Sequence, residues 1–317
     1  LVGMQNNVES HTQGPEPHTA LRTALTTAAG YLALFYLALL LPNVPAVASA
    51  LRTKALGYPA AVVSLAAFTL VQLLLVRYVA AITPPARIAL AGSVVCLVLW
   101  ILLPLTTRVM PGGLAFYIFF PWQNMLMILA AVLFGCLVSL AIREPGILFP
   151  GALVAGMVDY WGVYHGTTMY FIQAAPNVVS AVSVKMPAVS LAVPMPPSIG
   201  PGDFVFLGVF FAALYRLRMR VSTTFWLFLA LLVPSLVVVL VLGIDIPALV
   251  PMAVAMVLAN FGEMRLSRSE MFATLYVVLA VAGLLAVLTL VNPFRGTARQ
   301  PQHPARPPAH SAPGSRP

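Results

Sequence analysis

The chain has 317 residues, of which 61% are hydrophobic and only 8% are charged, with 17 Lys and Arg against 8 Asp and Glu for a net charge of +9. Soluble domains carry about 25% charged residues, so this composition excludes one. Apolar runs of about 20 residues recur along the chain, each long enough to cross ~30 Å of hydrocarbon as helix, and predict an all-α polytopic membrane protein with about nine transmembrane helices.

A β-barrel is disfavoured because the runs are continuously apolar rather than alternating. The basic residues are scattered through short loops and the tail without a nucleic-acid-binding motif, so they are read as topological and no nucleic acid is expected as a partner. The bilayer itself is the expected surrounding, and the number of copies in an assembly is left open.

In chain order, residues 1–23 form a polar leader without the short apolar stretch and cleavage site of a secretory signal, so the first apolar run is expected to stay as a helix. Residues 24–145 hold four predicted spans: Ala24–Leu41, Ala60–Ala80, Ala86–Leu105 and Asn124–Ile142. They are punctuated by Pro42 and Pro45, Pro84-Pro85, Pro111-Gly112-Gly113 and Pro145-Gly146. Gly113 to Trp122, rich in Phe and Tyr, is expected as an interfacial belt rather than a span. Cys96 and Cys136 fall inside apolar spans with neither a disulfide framework nor metal-ligand spacing, so no metal and no cofactor are expected.

Residues 146–261 hold four more predicted spans, Gly146–His165, Ser198–Leu217, Thr223–Leu242 and Ile246–Phe261. An additional span, Met271–Val291, lies within 262–292, and the Pro- and Arg-rich residues 293–317 are expected to be disordered. Counting basic residues on alternate sides gathers Arg22, Arg77, Arg87, Arg143, Arg216, Arg218, Arg220, Arg265 and Arg268 on one side. The other side has Arg52, Lys54, Arg108 and Lys185 outside the tail, which predicts a cytoplasmic N-terminus. Arginine in excess of lysine, with abundant Ala and Pro, suggests a prokaryotic plasma membrane.

Two of the few acids, Asp159 and Asp203, lie inside or at the mouth of apolar segments. A carboxylate at membrane depth is costly and marks a functional site. Asp159 is predicted ~20 Å along its span and Asp203 ~8 Å into the next, which runs the opposite way, so both lie at similar depth from one face. Carboxylates a few Å apart cannot both ionise, so such a pair holds one proton and offers a base and an acid together, the two needs of peptide hydrolysis by water.

Gly200 and Gly202 remove side chains before Asp203, so that another backbone or a substrate can approach, and Pro201 stiffens the start of its helix. Pro247 and Pro251 are expected to leave carbonyls of the eighth span without intrahelical partners, tolerable at that depth only beside protein or a wet cavity.

The combination of Val158-Asp159-Tyr160-Trp161-Gly162-Val163, Gly200-Pro201-Gly202-Asp203-Phe204-Val205-Phe206 and Pro247-Ala248-Leu249 resembles the presenilin and signal peptide peptidase family of intramembrane aspartyl proteases. The resemblance covers roughly Gly146 to Phe261. It implies an endopeptidase acting on transmembrane or signal-peptide-like helices, with Asp159 and Asp203 as the catalytic dyad. Gly200, Gly202, Tyr160, Pro247, Ala248 and Leu249 are its implied support. The chain departs from the family in Val158, where the family usually has Tyr, in four rather than five preceding spans, and in the extra span after Pro-Ala-Leu.

The β-prone stretch Val178 to Val193 is expected to pair with an unwound substrate, as the corresponding region does in the similar family, with Val182, Val184, Val189 and Leu191 as candidate contacts. Asp245 is read as a helix cap and His165 as interfacial. Two alternatives stay open. A proton- or cation-coupled transporter would use the same acids as a relay. A prepilin-peptidase-like protease would share the Gly-x-Gly-Asp motif, although that family generally has Lys where Val205 stands here.

Overall fold

Proline and glycine set most of the helix ends. The computed structural model describes residues 16–107, 112–165, 182–187, 189–190, 198–244, 246–263 and 268–291. The helices are α1 Pro17–Leu40, α2 Pro45–Arg52, α3 Lys54–Ala81, α4 Ala86–Thr107, α5 Gly112–Ser139 and α6 Pro145–Tyr164. A two-stranded ribbon, β1 Val184–Lys185 and β2 Ser198–Ile199, precedes α7 Pro201–Arg216, α8 Val221–Leu242, α9 Leu249–Asn260 and α10 Arg268–Val291. Pro opens α1, α2, α6 and α7, where its missing N–H is one the first turn leaves unpaired in any case. Gly243, at φ +65°, supplies the left-handed residue that ends α8.

Among the described residues, seven helices, α1, α3, α4, α5, α6, α8 and α10, are long and apolar enough to cross a membrane. Two of the nine expected spans do not reach this length. The helix of 16 residues at α7 and that of 12 residues at α9 are shorter, about 24 and 18 Å at 1.5 Å per residue. Ser198 and Ile199 are committed to the ribbon and Gly200 to the cap, so α7 starts only at Pro201. Ile246 and Pro247 precede α9 without joining it.

The expected belt at Gly113–Trp122 is also corrected: it is the first part of α5, which runs through Pro121. Pro121 removes one ladder donor, and side chains brace the carbonyls beside the break. Tyr36 Oη donates to Ile118 O at 2.9 Å and Asn124 Nδ2 to Phe120 O at 3.0 Å. The short helix α2 was not anticipated.

At the centre stands α7, apolar on all sides, with every residue from Leu207 to Leu214 buried. It crosses α5 at a glycine pair: a Cβ on Gly208 would lie 2.7 Å from Val132 O, and one on Gly135 would strike Val205 O. On its other flanks α7 packs against α3 and α8, where Phe211 meets Phe228 edge-to-face at 5.4 Å. Tyr31 and Phe35 of α1 join Phe68 of α3 and Phe120 of α5 in a second aromatic cluster.

The outermost helices, α4 and α10, present apolar side chains outward, among them Val94, Val95, Tyr276 and Leu290. Apolar faces of this extent do not persist against water, and a bilayer is the solvent that suits them.

The C-terminal ends of α3, α5, α7 and α9 meet on one face. Arg77 Nε donates to Tyr215 Oη at 3.3 Å, and the Arg216 guanidinium donates to Ser139 O and Ile142 O at the end of α5. Arg220 donates its backbone N–H to Asn260 Oδ1 at 3.2 Å and pairs with Glu263 at 2.9 Å. Arg77, Arg216 and Arg220 therefore share a face, as the alternating count predicts.

Candidate active site

Gly156 lies one turn before Asp159 on the same face of α6. A Cβ there would sit 3.4 Å from Ala253 Cβ, so α9 approaches α6 closely at this level. The backbone donors at the start of α9 then account for the position of Asp159. Val250 N–H is taken by Pro247 O at 3.2 Å, Pro251 has no N–H, and Met252 N–H is taken by Ala248 O at 3.4 Å. Leu249 N–H has no helical acceptor, and it donates to Asp159 Oδ2 at 2.9 Å. The carboxylate of one helix thereby caps the positive end of another.

This changes the meaning of Pro-Ala-Leu. The unpaired carbonyls expected from Pro247 and Pro251 inside a helix are absent, because Pro247 stands before α9 and Pro251 in its first turn. The motif instead leaves one N–H aimed at Asp159. Pro247 and Leu249 are buried and Ala248 half-buried.

Asp203 is the third residue of α7, nearer its start than expected. Its Oδ2 accepts Gly200 N–H at 3.1 Å while its own N–H donates to Gly200 O at 3.2 Å, a reciprocal cap at the third helical position. A Cβ on Gly202 would meet nothing within 4 Å, and one on Gly200 only Asp203 Oδ2 at 3.5 Å. Among the described residues no neighbouring backbone packs against either glycine.

Although consecutive, α6 and α7 make little contact; α6 packs on α9 and α10, and α9 also touches α7. Helix α9 therefore contacts the helices of both aspartates. Each carboxylate accepts one backbone N–H through Oδ2, and among the described residues neither Oδ1 accepts a hydrogen bond. Among the described residues, no three His, Cys, Asp or Glu side chains gather where they could share a metal ion.

Tyr160 points away from this centre. It is 52% exposed and stacks on Tyr164 at 4.8 Å. Trp161 Nε1 donates to Thr289 Oγ1 of α10 at 2.8 Å. His165 ends α6, its N–H bonded to Trp161 O.

Of the β-prone stretch, residues 182–187 and 189–190 are described, and among them the strand is Val184–Lys185. Val184 pairs with Ile199 and Lys185 with Ser198, antiparallel, so β1 is partnered by the segment that leads into Gly200-Pro201-Gly202-Asp203. The Val184 side chain is fully buried in the core. Lys185 N–H, on the outer edge of β1, donates to Asn124 Oδ1 at 2.8 Å. Strand alternation then turns the backbone of Ser198 to the opposite outer edge. Val182 and Val189 are half-buried against the core; Leu191 and Asp245 lie outside the described residues.

Sequence reasoning missed Gly156 and Asn124. The first was findable, three residues from Asp159 and so on its face; the second was visible only as one of two adjacent amides, Gln123 and Asn124, in an apolar run. No family model matches this chain, and no curated protein or solved structure matches it.

Proposed function

We propose that the chain is an intramembrane aspartyl endopeptidase, a presenilin- and signal-peptide-peptidase-like enzyme of Gly-x-Gly-Asp type, with Asp159 and Asp203 as its dyad. The observation that carries this reading is the Leu249 N–H bond to Asp159. It joins two motifs far apart in sequence, and α9, which carries one of them, also touches α7, the helix of Asp203. Its substrates are apolar helices that reach the site from the bilayer, in a prokaryotic plasma membrane with the arginine-rich face cytoplasmic. The full complement of nine crossings belongs to this reading, with α7 and α9 as broken helices that begin at the depth of the site.

In the reaction one carboxylate takes a proton from water as its oxygen attacks the peptide carbonyl carbon, and the other, protonated, donates to the carbonyl oxygen. Collapse breaks the C–N bond, the amine leaves with a proton, and the new carboxyl keeps the water oxygen. The test is cleavage of a single-span substrate in vesicles. We expect Asp159→Asn and Asp203→Asn each to lower the rate at least ~100-fold, in line with loss of a general acid or base. Undiminished cleavage by either folded variant overturns the assignment.

A further inference from the structure

A small cavity of about 60 Å³ lies between α4, α5 and β1. Its polar lining comes from Trp100 of α4, Gln123 and Asn124 of α5, Lys185 of β1 and the neighbouring Ser183. The level is that of hydrocarbon. Asn124 stands ~22 Å from the arginine-rich end of α5 at 1.5 Å per residue, and on α4 Leu97, Val98, Leu99, Ile101 and Leu102 around Trp100 are exposed. Asn124 is already committed, its Oδ1 to Lys185 N–H and its Nδ2 to Phe120 O. Among the described residues the Lys185 amine, the Gln123 amide and the Trp100 indole have no hydrogen-bond partner, and the one ion pair there is Arg220 with Glu263. Ammonium and indole groups donate and do not accept. A cation at this depth is costly unless a group of opposite charge meets it.

We propose that this cavity binds a small monovalent anion of halide size, such as chloride, held by the Lys185 ammonium together with the Gln123 amide and the Trp100 indole N–H. None of the lining residues is an acid, and the lysine turns a metal cation away. Room is sufficient: about 10–15 Å³ in this measure holds one water, so the cavity takes a single-atom anion with a few waters around it. Water alone would satisfy the donors but leave the charge of Lys185 unmatched in a low-dielectric layer. Lys185 pairs with Ser198, and Ser198 leads through Gly200 into α7, so the bound anion braces the ribbon from its outer edge. This site goes beyond the proteolytic reading and does not depend on it.

Trp100 reports occupancy directly, because iodide quenches indole fluorescence on contact and chloride does not. In a variant of the full chain retaining Trp100 alone, with Trp122, Trp161 and Trp226 changed to Phe, iodide in detergent micelles at constant ionic strength is expected to quench with a saturable part that chloride relieves. A second variant retaining only Trp226, which is 58% exposed on α8, gives the collisional reference. Lys185→Met leaves the backbone bond to Asn124 in place and is expected to raise the half-saturating iodide concentration about tenfold or more, as loss of one hydrogen bond to a charged group does. Lys185→Arg is expected to keep the saturable part, and Gln123→Leu to weaken it less than Lys185→Met. Quenching of Trp100 that stays linear in iodide, or that Lys185→Met leaves unchanged, overturns the proposal and gives the cavity to water. Stronger relief by phosphate than by chloride overturns the halide assignment. The measurement reads no cleavage, so an inactive enzyme that still binds iodide, or an active one that does not, separates this proposal from the proposed activity.

Discussion

Asparagine caps a helix about as well as aspartate, and that equivalence separates two roles for Asp159. If its work ends with holding Leu249 N–H, Asp159→Asn keeps both the fold and whatever activity the protein has. If it is a member of a catalytic pair, Asn preserves the melting temperature and removes cleavage. Asp159→Ala is expected to do both kinds of damage, since the orphaned Leu249 N–H costs about 1 kcal/mol of stability on top of the lost chemistry; circular dichroism melts beside cleavage assays give the comparison. Gly202 offers the complementary case. A methyl there touches nothing within 4 Å, so Gly202→Ala is expected to melt no lower than the wild type, helix propensity favouring Ala by about 1 kcal/mol. A fall in its cleavage rate then reports a substrate occupying that space.

Between elements, the tightest constraint is the α5–α7 crossing. Gly208→Ala would press a methyl against the Val132 backbone, which cannot move like a side-chain tip, and is expected to cost about 1–3 kcal/mol in unfolding free energy, read as an earlier denaturant midpoint in micelles. At the ends of α8 and α9 a polar knot does comparable work. Buried Asn260 donates to Thr224 Oγ1 at 2.8 Å and Met256 O at 3.0 Å while accepting from Arg220. Asn260→Leu strands the Arg220 N–H and is expected to cost about 2 kcal/mol, measured the same way. Such elements were unevenly legible. Long apolar runs identified α3, α4, α8 and α10 because hydrocarbon length is written directly in composition. The starts of α7 and α9 were misplaced because Ser198, Ile199 and Ile246 are as apolar or as neutral as helix residues; the ribbon and the donor to Asp159 are tertiary facts. Pro121 misled in the opposite sense, since the Tyr36 and Asn124 side chains that brace the helix around it come from packing no local rule foresees.

For the whole molecule, alternate helix ends divide into two faces, and labelling can test the division. In a background without Cys96 and Cys136, Arg143→Cys and Gly262→Cys are expected to react with an impermeant maleimide from one side, and Ser49→Cys and Gly243→Cys from the other. With the arginine-rich face cytoplasmic, inverted vesicles label the first pair and intact spheroplasts the second. The two aspartates also belong to unequally restrained parts of this body. Asp203 rides on α7, wedged between α3, α5 and α8, whereas among the described residues Asp159 rides on α6, which packs chiefly on α9 and α10. Helix α9 is itself fastened at its Asn260 end, with its free end hooked to Asp159. On the proposed reading, a substrate that displaces Leu249 would disturb the Asp159 carboxylate as well, because the Leu249 N–H is bonded to it.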